Sequence, residues 1–553
     1  MKNKLIWLLG LSVVLTACDV DNTLDPIEEV VVPDVALSAG SADFSNYIAI
    51  GASFTAGFTD GALFQASQVN SFPNIMANKF SMVNGGAFGQ PLMDDNIGGM
   101  ITSTGAVAQS PRLFFNGSGP AVLPAKPTTI VGVPVSNAGS LNNYGVPGAK
   151  SFHLLAPGYG SVAGLLNTPP TANPYYVRMA PTQPTLIEEA ASKNPTFFTL
   201  SEIGGNDVLG YATSGGESDM MSDNYNPITP VAMFNGAFDG IIAKLTGPNP
   251  NAKGVVANVP YIASLPHFTT VPYNPLDPTE KTDAARALAA QIPLLNQVFG
   301  AINQVFALKG EPERAIVFDA TKANPVVIFD EHATDLSGDI ATILGASPDF
   351  VPLVQSFGLP AAAAPFVAQL LGLQYGKARS ATENDLFVLP SSSVIGKVNT
   401  EHLASIILQS GGLLSQTLAG QFSAEGVTLP LADKWVLTPQ EQAAIKTATD
   451  AYNAKIKSVV DANPNLALVD LNAILQQAST TGIPSGDFLL TTQLVTGGLV
   501  SLDGIHLTAR GYAVMANKML EAIDGAFGSN FTKATNGLAD PGNYPTNYHP
   551  SMR

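Results

Sequence analysis

Short apolar runs, each closed by glycine, proline or an acidic residue, recur along the chain. Tyr47-Ile48-Ala49-Ile50 stops at Gly51, and Thr196 to Ile203 stops at Gly204-Gly205-Asn206-Asp207. Gly254 to Val259 is closed by Pro260, and Leu466 to Val469 by Asp470. Such runs predict buried strands. Leu141 to Gly145 reads as a strand end ahead of a Pro147-Gly148 turn, and Ala315 to Asp319 as one more short strand. Between the runs the apolar period changes to that of a helix. Ser71 to Phe80, Pro184 to Ser192 and Phe234 to Leu245 fit helices, as does Pro278 to about Leu308, where Leu288, Ile292, Leu295, Phe299, Ile302 and Phe306 recur at three or four residues. Pro293 inside that last pattern predicts a kink or a break. Thr438-Pro439-Gln440-Glu441 is a helix start, with a capping threonine, proline at the first position and glutamate in the first turn, and the helix runs to about Asp461. Thr508 caps a final helix with Tyr512, Met515, Ala516, Met519, Leu520 and Ile523 on one face. Helix–strand alternation from Pro184 onward predicts an α/β fold with parallel strands and crossover helices.

Two stretches interrupt this rhythm. Residues from Met82 to about Ser140 are rich in Gly, Pro, Ser and Asn and read as an insertion with small strands. Residues from Ala323 to about Lys434 form a second, unusually apolar insertion. It reads either as helices packed onto the main domain or as a lid or acyl-binding wall. The tail from 528 to 553 has no clear periodicity.

Composition narrows the class. The chain has 553 residues, 46% hydrophobic and 12% charged, so a large core is available and wholesale disorder is not expected. The net charge is −17, from 26 basic and 43 acidic residues, with no basic cluster beyond the first residues. That argues against nucleic acid as a partner. Lys2 and Lys4, the apolar Leu5 to Leu15, and Leu15-Thr16-Ala17-Cys18 resemble a bacterial lipoprotein signal, with cleavage after residue 17 and lipid on Cys18, the only cysteine. The expectation is export and attachment to a membrane, most simply the outer membrane, through acyl chains. Residues 18 to 45, acidic and carrying Pro26 and Pro33, read as a tether.

The candidate chemistry lies on four loops: Ser53 after the first strand, Gly148, Gly204 to Asp207, and Asp503 to His506. Strand exits in a parallel sheet share one edge, where ligands bind. Gly204-x-Asn206-Asp207 and Asp503-Gly504-Ile505-His506-Leu507-Thr508-x-x-Gly511-Tyr512, with Gly145-Val146-Pro147-Gly148-Ala149 and Gly51-Ala52-Ser53 in the same order, resemble the SGNH or GDSL family of esterases and lipases. The first block departs from the family's Gly-Asp-Ser, since Ala52 replaces the acid. The resemblance implies a three-layer α/β/α sandwich of flavodoxin-like type over residues 46 to 527, with the two insertions. It also implies a catalytic Ser53, His506 as base, Asp503 as orienting acid, and an oxyanion hole from the Ser53 and Gly148 N–H groups and the Asn206 amide. Each role has a chemical reason: a neutral serine needs a base, the imidazolium needs a counter-charge, and the tetrahedral oxyanion needs donors. Asp207 would brace its loop.

The implied reaction is hydrolysis of carboxylic esters through a Ser53 acyl-enzyme, with no metal or organic cofactor. Lipid or other long-acyl esters are the expected substrates. A carbohydrate acetyl esterase, or a catalytically weak surface-binding lipoprotein on the same fold, remains open. His153, His267, His332, His402 and His549 lack the Asp-x-x-His context. Asp330-Glu331-His332 with Asp335 has metal-ligand residue types, but no second His lies nearby and no Cys is available, so no metal site is expected there.

Overall fold

The computed structural model describes residues 35–553. Cys18, the signal segment and most of the tether lie outside the described residues. Five strands, β1 (Tyr47–Gly51), β2 (Asn143–Gly145), β3 (Phe197–Leu200), β4 (Lys253–Ala257) and β5 (Leu466–Val469), form one sheet in the order β5-β4-β3-β1-β2, every pair parallel. Seventeen α-helices lie among the described residues. The fold is therefore mixed α/β around a parallel sheet. Six helices bear on the sheet and its loops, α1 (Ser53–Ala56), α2 (Gly205–Thr213), α3 (Val231–Thr246), α5 (Pro439–Asp461), α6 (Leu471–Thr480) and α7 (Ala509–Phe527), while α4 (Asp283–Leu308) packs with the second insertion.

The apolar runs work as continuous strands because both their faces are buried. Ile48, Ile50, Phe198, Leu200 and Val256 join a cluster with Phe234, Phe238 and Ile241 of α3 and Tyr452 and Ile456 of α5. The alternate residues Tyr47, Ala49, Phe197, Val255 and Val469 join another, with Met515, Met519 and Ile523 of α7 and Phe72, Met76 and Phe80. Burying each of the larger side chains stabilises the fold by roughly 1.5–3 kcal/mol. Helix starts follow the sequence signals. Glu441 reaches back to the Thr438 N–H at 2.6 Å, and Thr508 Oγ1 accepts the Gly511 N–H at 3.0 Å.

The second insertion has a core of its own. Val326, Ile340, Val354, Val367, Leu371 and Ile406 pack with Ile292, Phe299 and Ile302 of α4 in a cluster separate from the two on the sheet. The first insertion carries two small antiparallel pairs, Met100–Ile101 with Val107–Gln109 and Leu113–Phe115 with Pro120–Val122. The last residues assigned to the tether are packed: Phe44 is buried, stacked on Phe80 with centroids 3.9 Å apart, and Ser41 donates its N–H to Phe527 O at 2.8 Å. The tail is docked as well. The buried Arg112 guanidinium donates to the carbonyls of Tyr548 at 3.0 Å, His549 at 2.8 Å and Met552 at 3.2 Å. Among the described residues no single helix is long and apolar enough to cross a membrane.

Two expectations fail. Helix α4 runs unbroken through Pro293, which lies on its exposed side. Ala315 to Asp319 is not a strand, although Ile316 and Phe318 are buried like strand residues. Its hydrogen bonds go to a helix instead. Asn303 Oδ1 accepts the Ile316 N–H at 2.9 Å and its Nδ2 donates to Ile316 O at 2.8 Å. Asn296 does the same for Phe318, at 2.9 and 2.8 Å.

Candidate functional site

Ser53 begins the four-residue helix α1 immediately beyond β1. The turn is tight on both sides. A Cβ on Gly51 would lie 2.1 Å from Thr55 Oγ1 and 2.7 Å from Ser201 O, and one on Gly145 would lie 2.3 Å from the Ala56 N. Only glycine lets β1 and β2 come this close to the serine turn.

The carboxylate of Asp503 is the most heavily bonded group near this turn. Its Oδ2 is 2.8 Å from His506 Nδ1 and accepts the Gly61 N–H at 2.8 Å. Its Oδ1 accepts the N–H groups of Ile505 and His506, both at 2.8 Å, and the Ser501 hydroxyl at 3.0 Å. Burial acts to raise the Asp503 carboxyl, but the facing His506 and these hydrogen bonds outweigh it and hold the group well below the usual carboxylate range. The carboxylate fixes the imidazole with Nδ1–H as donor, which leaves Nε2 as an acceptor. The rings of Phe54 and Phe58, on the serine loop itself, pack on His506 with centroids 5.8 and 4.6 Å away. Serine and histidine loops are thus brought together, while Ser53 Oγ makes no hydrogen bond among the described residues. A nucleophile–base contact commonly tightens only once substrate is bound.

Donors converge from two further loops. Gly148, at φ +79°, has open space where a Cβ would stand. No backbone carbonyl takes up its N–H or that of Ser53. Asn206, at the start of α2, gives one amide hydrogen to Ala149 O at 3.0 Å, which ties it to the Gly148 loop and leaves its second N–H free. Asp207 braces the same loop, accepting the Ser151 N–H at 2.8 Å and its hydroxyl at 2.7 Å. Ser53, Gly148, Asn206, Asp503 and His506 are therefore all positioned by loops at the same region of the sheet.

Three polar residues at the site escaped the sequence reading. Glu202, at the exit of β3 with φ +49°, accepts the Ala52 N–H at 2.6 Å and the Thr55 N–H at 3.0 Å. Burial pushes its carboxyl up to about 7, against the lowering effect of those bonds. Asp60 and Ser501 join the serine and histidine loops. Ser501 Oγ accepts the Asp60 N–H at 3.0 Å, and Asp60 Oδ1 accepts the Leu502 N–H at 3.1 Å. A lone carboxylate inside the apolar run Thr196 to Ile203 was the available sign for Glu202.

An apolar cavity opens beside Ser53. The enclosed part is small, and the cavity's empty space reaches about 920 Å³ only when counted out into open solvent. Ser53, Glu202 and Asn206 stand at one part of the lining, and Leu475, Ile505 and Val514 are among the apolar residues of the rest. No residue of the second insertion lines it. Of the two readings of 323–434, the acyl-binding wall does not apply to this cavity, because that insertion turns its apolar residues into its own core.

This arrangement can activate a hydroxyl, stabilise a nearby negative oxygen and shelter an apolar group. Comparison of the chain with protein-family models, curated proteins and solved structures gave no match.

Proposed function

We propose that this protein is a serine ester hydrolase of the SGNH or GDSL type, built on a three-layer α/β/α sandwich and acting on esters of apolar acyl groups. The observation that carries the reading is co-location: Ser53 and Asn206 line one apolar cavity, and the bonded Asp503–His506 pair packs against Phe54 and Phe58 of the serine loop. The acyl chain lies in the cavity, with its carbonyl at Ser53. Ser53 Oγ attacks the carbonyl carbon while His506 Nε2 takes the hydroxyl proton. Asp503 stabilises the resulting imidazolium. The oxyanion receives the N–H groups of Ser53 and Gly148 and the free Asn206 N–H, each such donor lowering the barrier by on the order of 3 kcal/mol. The imidazolium returns its proton to the departing alkoxide, and water, activated by the same histidine, releases the acid from the acyl-enzyme. Anchoring through lipid on Cys18 would present this site at an exported membrane surface.

The test is turnover of p-nitrophenyl esters from acetyl to palmitoyl by the full chain and by Ser53→Ala. The expected result is turnover that rises with chain length and is lost in the variant. A wild type no faster than the variant on every ester overturns the proposal. A preference for acetyl esters of sugars would favour the carbohydrate alternative, against which the apolar lining speaks.

A further inference from the structure

Away from the Ser53 site, the second insertion meets the sheet domain through a cluster of acids. Glu331 and His332 follow the short strand Val327–Phe329, and Glu441 stands in the first turn of α5. Ligating atoms of Glu331, His332 and Glu441 all lie within 4.8 Å of one another. His332 Nε2 is 3.9 Å from Glu331 Oε1, and its Nδ1 is 4.0 Å from Glu441 Oε1. Only one ring nitrogen of His332 can serve a given ion, and donor atoms about 2.1 Å from that ion stand roughly 3–4 Å apart, so the three groups must draw in from their 4.8 Å limit when an ion enters.

A second observation is independent of this grouping. The Glu441 side chain is 0% exposed. Its Oε2 accepts the Thr438 N–H, but Oε1, the atom facing His332, has no partner. Asp433 Oδ1 is likewise buried and unpartnered. The nearby cations are engaged elsewhere: Arg379 binds Asp330 at 2.6 Å and Asp385 at 2.7 Å, and Lys377 Nζ donates to the Glu331 carbonyl at 2.8 Å. Glu331 Oε2 takes the Ser218 hydroxyl, which leaves its Oε1 towards His332. A bare carboxylate oxygen in a buried setting is unfavourable unless a positive group or a proton meets it. Access is open, since the His332 side chain is 39% exposed.

We propose that Glu331, His332 and Glu441 bind a divalent transition-metal cation, with Zn2+ the best fit, that fastens the second insertion to the sheet domain. One imidazole with two carboxylates suits zinc, whereas calcium and magnesium favour all-oxygen shells. The residue pattern Asp330-Glu331-His332 showed only half of this site, because Glu441 arrives from the far side of the insertion.

The untagged full chain, stripped with chelator and dialysed, is titrated with Zn2+ alone by calorimetry, and its thermal midpoint is followed. The expected result is one saturable Zn2+ per chain with a midpoint raised by several degrees. His332→Ala, at a half-exposed turn, and Glu331→Gln weaken binding by roughly ten-fold or more, and His549→Ala leaves it unchanged. Absence of saturable binding in the wild type, or equal binding in His332→Ala, overturns the site. Ca2+ binding more tightly than Zn2+ overturns the assignment of the metal. Neither outcome depends on ester hydrolysis.

Discussion

The Glu202 carboxylate holds the Ala52 N–H at 2.6 Å across 150 residues of chain. With the Thr55 N–H on the same oxygen, it grips both ends of the serine turn. At Ala52, where the proposed resemblance to SGNH esterases expects an acid, stands a buried methyl, and the carboxylate that serves this turn comes from the loop after β3.

Removing that grip is expected to show in both stability and turnover. Glu202→Ala leaves two buried N–H groups without an acceptor, at about 1–3 kcal/mol each. Its urea midpoint falls, and ester turnover falls with it. Glu202→Gln keeps a carbonyl acceptor and recovers most of both.

The same carboxyl gives a pH dependence with a defined sign. Its value of about 7 is above the ordinary 4.5, so the folded chain holds the proton more tightly. The stability it contributes is complete below about 4.5 and is lost as pH rises through about 7, on the order of 3 kcal/mol. Urea melts at pH 5 and pH 8 should show a larger decline in wild type than in Glu202→Gln. Equal declines would remove Glu202 as the source.

Asp503→Asn should lower turnover by about 1,000- to 10,000-fold, because the amide cannot stabilise the imidazolium or hold Nδ1–H as donor. The native carboxyl is held below its usual range, so the stability it supplies is present above about pH 4. That stability is lost as pH falls through the lower folded value. An acid titration of wild type against variant reads the difference. Turnover within a few-fold of wild type would take Asp503 out of the mechanism.

Val514→Trp fills part of the cavity beside Ser53. Dodecanoyl ester hydrolysis should fall by roughly ten-fold or more, while acetyl ester hydrolysis stays near wild type. A circular dichroism spectrum and thermal midpoint separate this from simple misfolding, since overpacking costs about 1–3 kcal/mol. If both esters fall equally, the acyl chain lies elsewhere.

Cys18→Ala is expected to move the protein from the membrane fraction to the soluble one. Continued sedimentation with membranes would contradict lipid attachment at that residue.

The strands and the loops they feed were legible because each signal is local. β1, β3, β4 and β5 are mostly apolar runs, and Gly148, Asn206 and Asp503 to His506 stand just past strands or ahead of helices that their neighbours define. What could not be read depends on distant contacts. Glu202 meets the serine turn, Asp60 meets Leu502, and Glu441 faces His332 only in three dimensions. The cavity beside Ser53 was invisible for the same reason, being assembled from the serine turn, the start of α2, the loop after β4, and α6 and α7 with their loops. The second insertion left two readings open. Its apolar content signalled burial, but burial in its own core rather than against the site.

At Ile316 and Phe318 a helix stands in for a neighbouring strand. Asn296 and Asn303, two turns apart on α4, each present a donor and an acceptor to the C=O and N–H of one residue, as a paired strand would. That side of the segment is thereby sealed against pairing with another chain. A stretch whose alternation invites sheet extension is instead a dead end for aggregation, and replacing the two asparagines would reopen the edge.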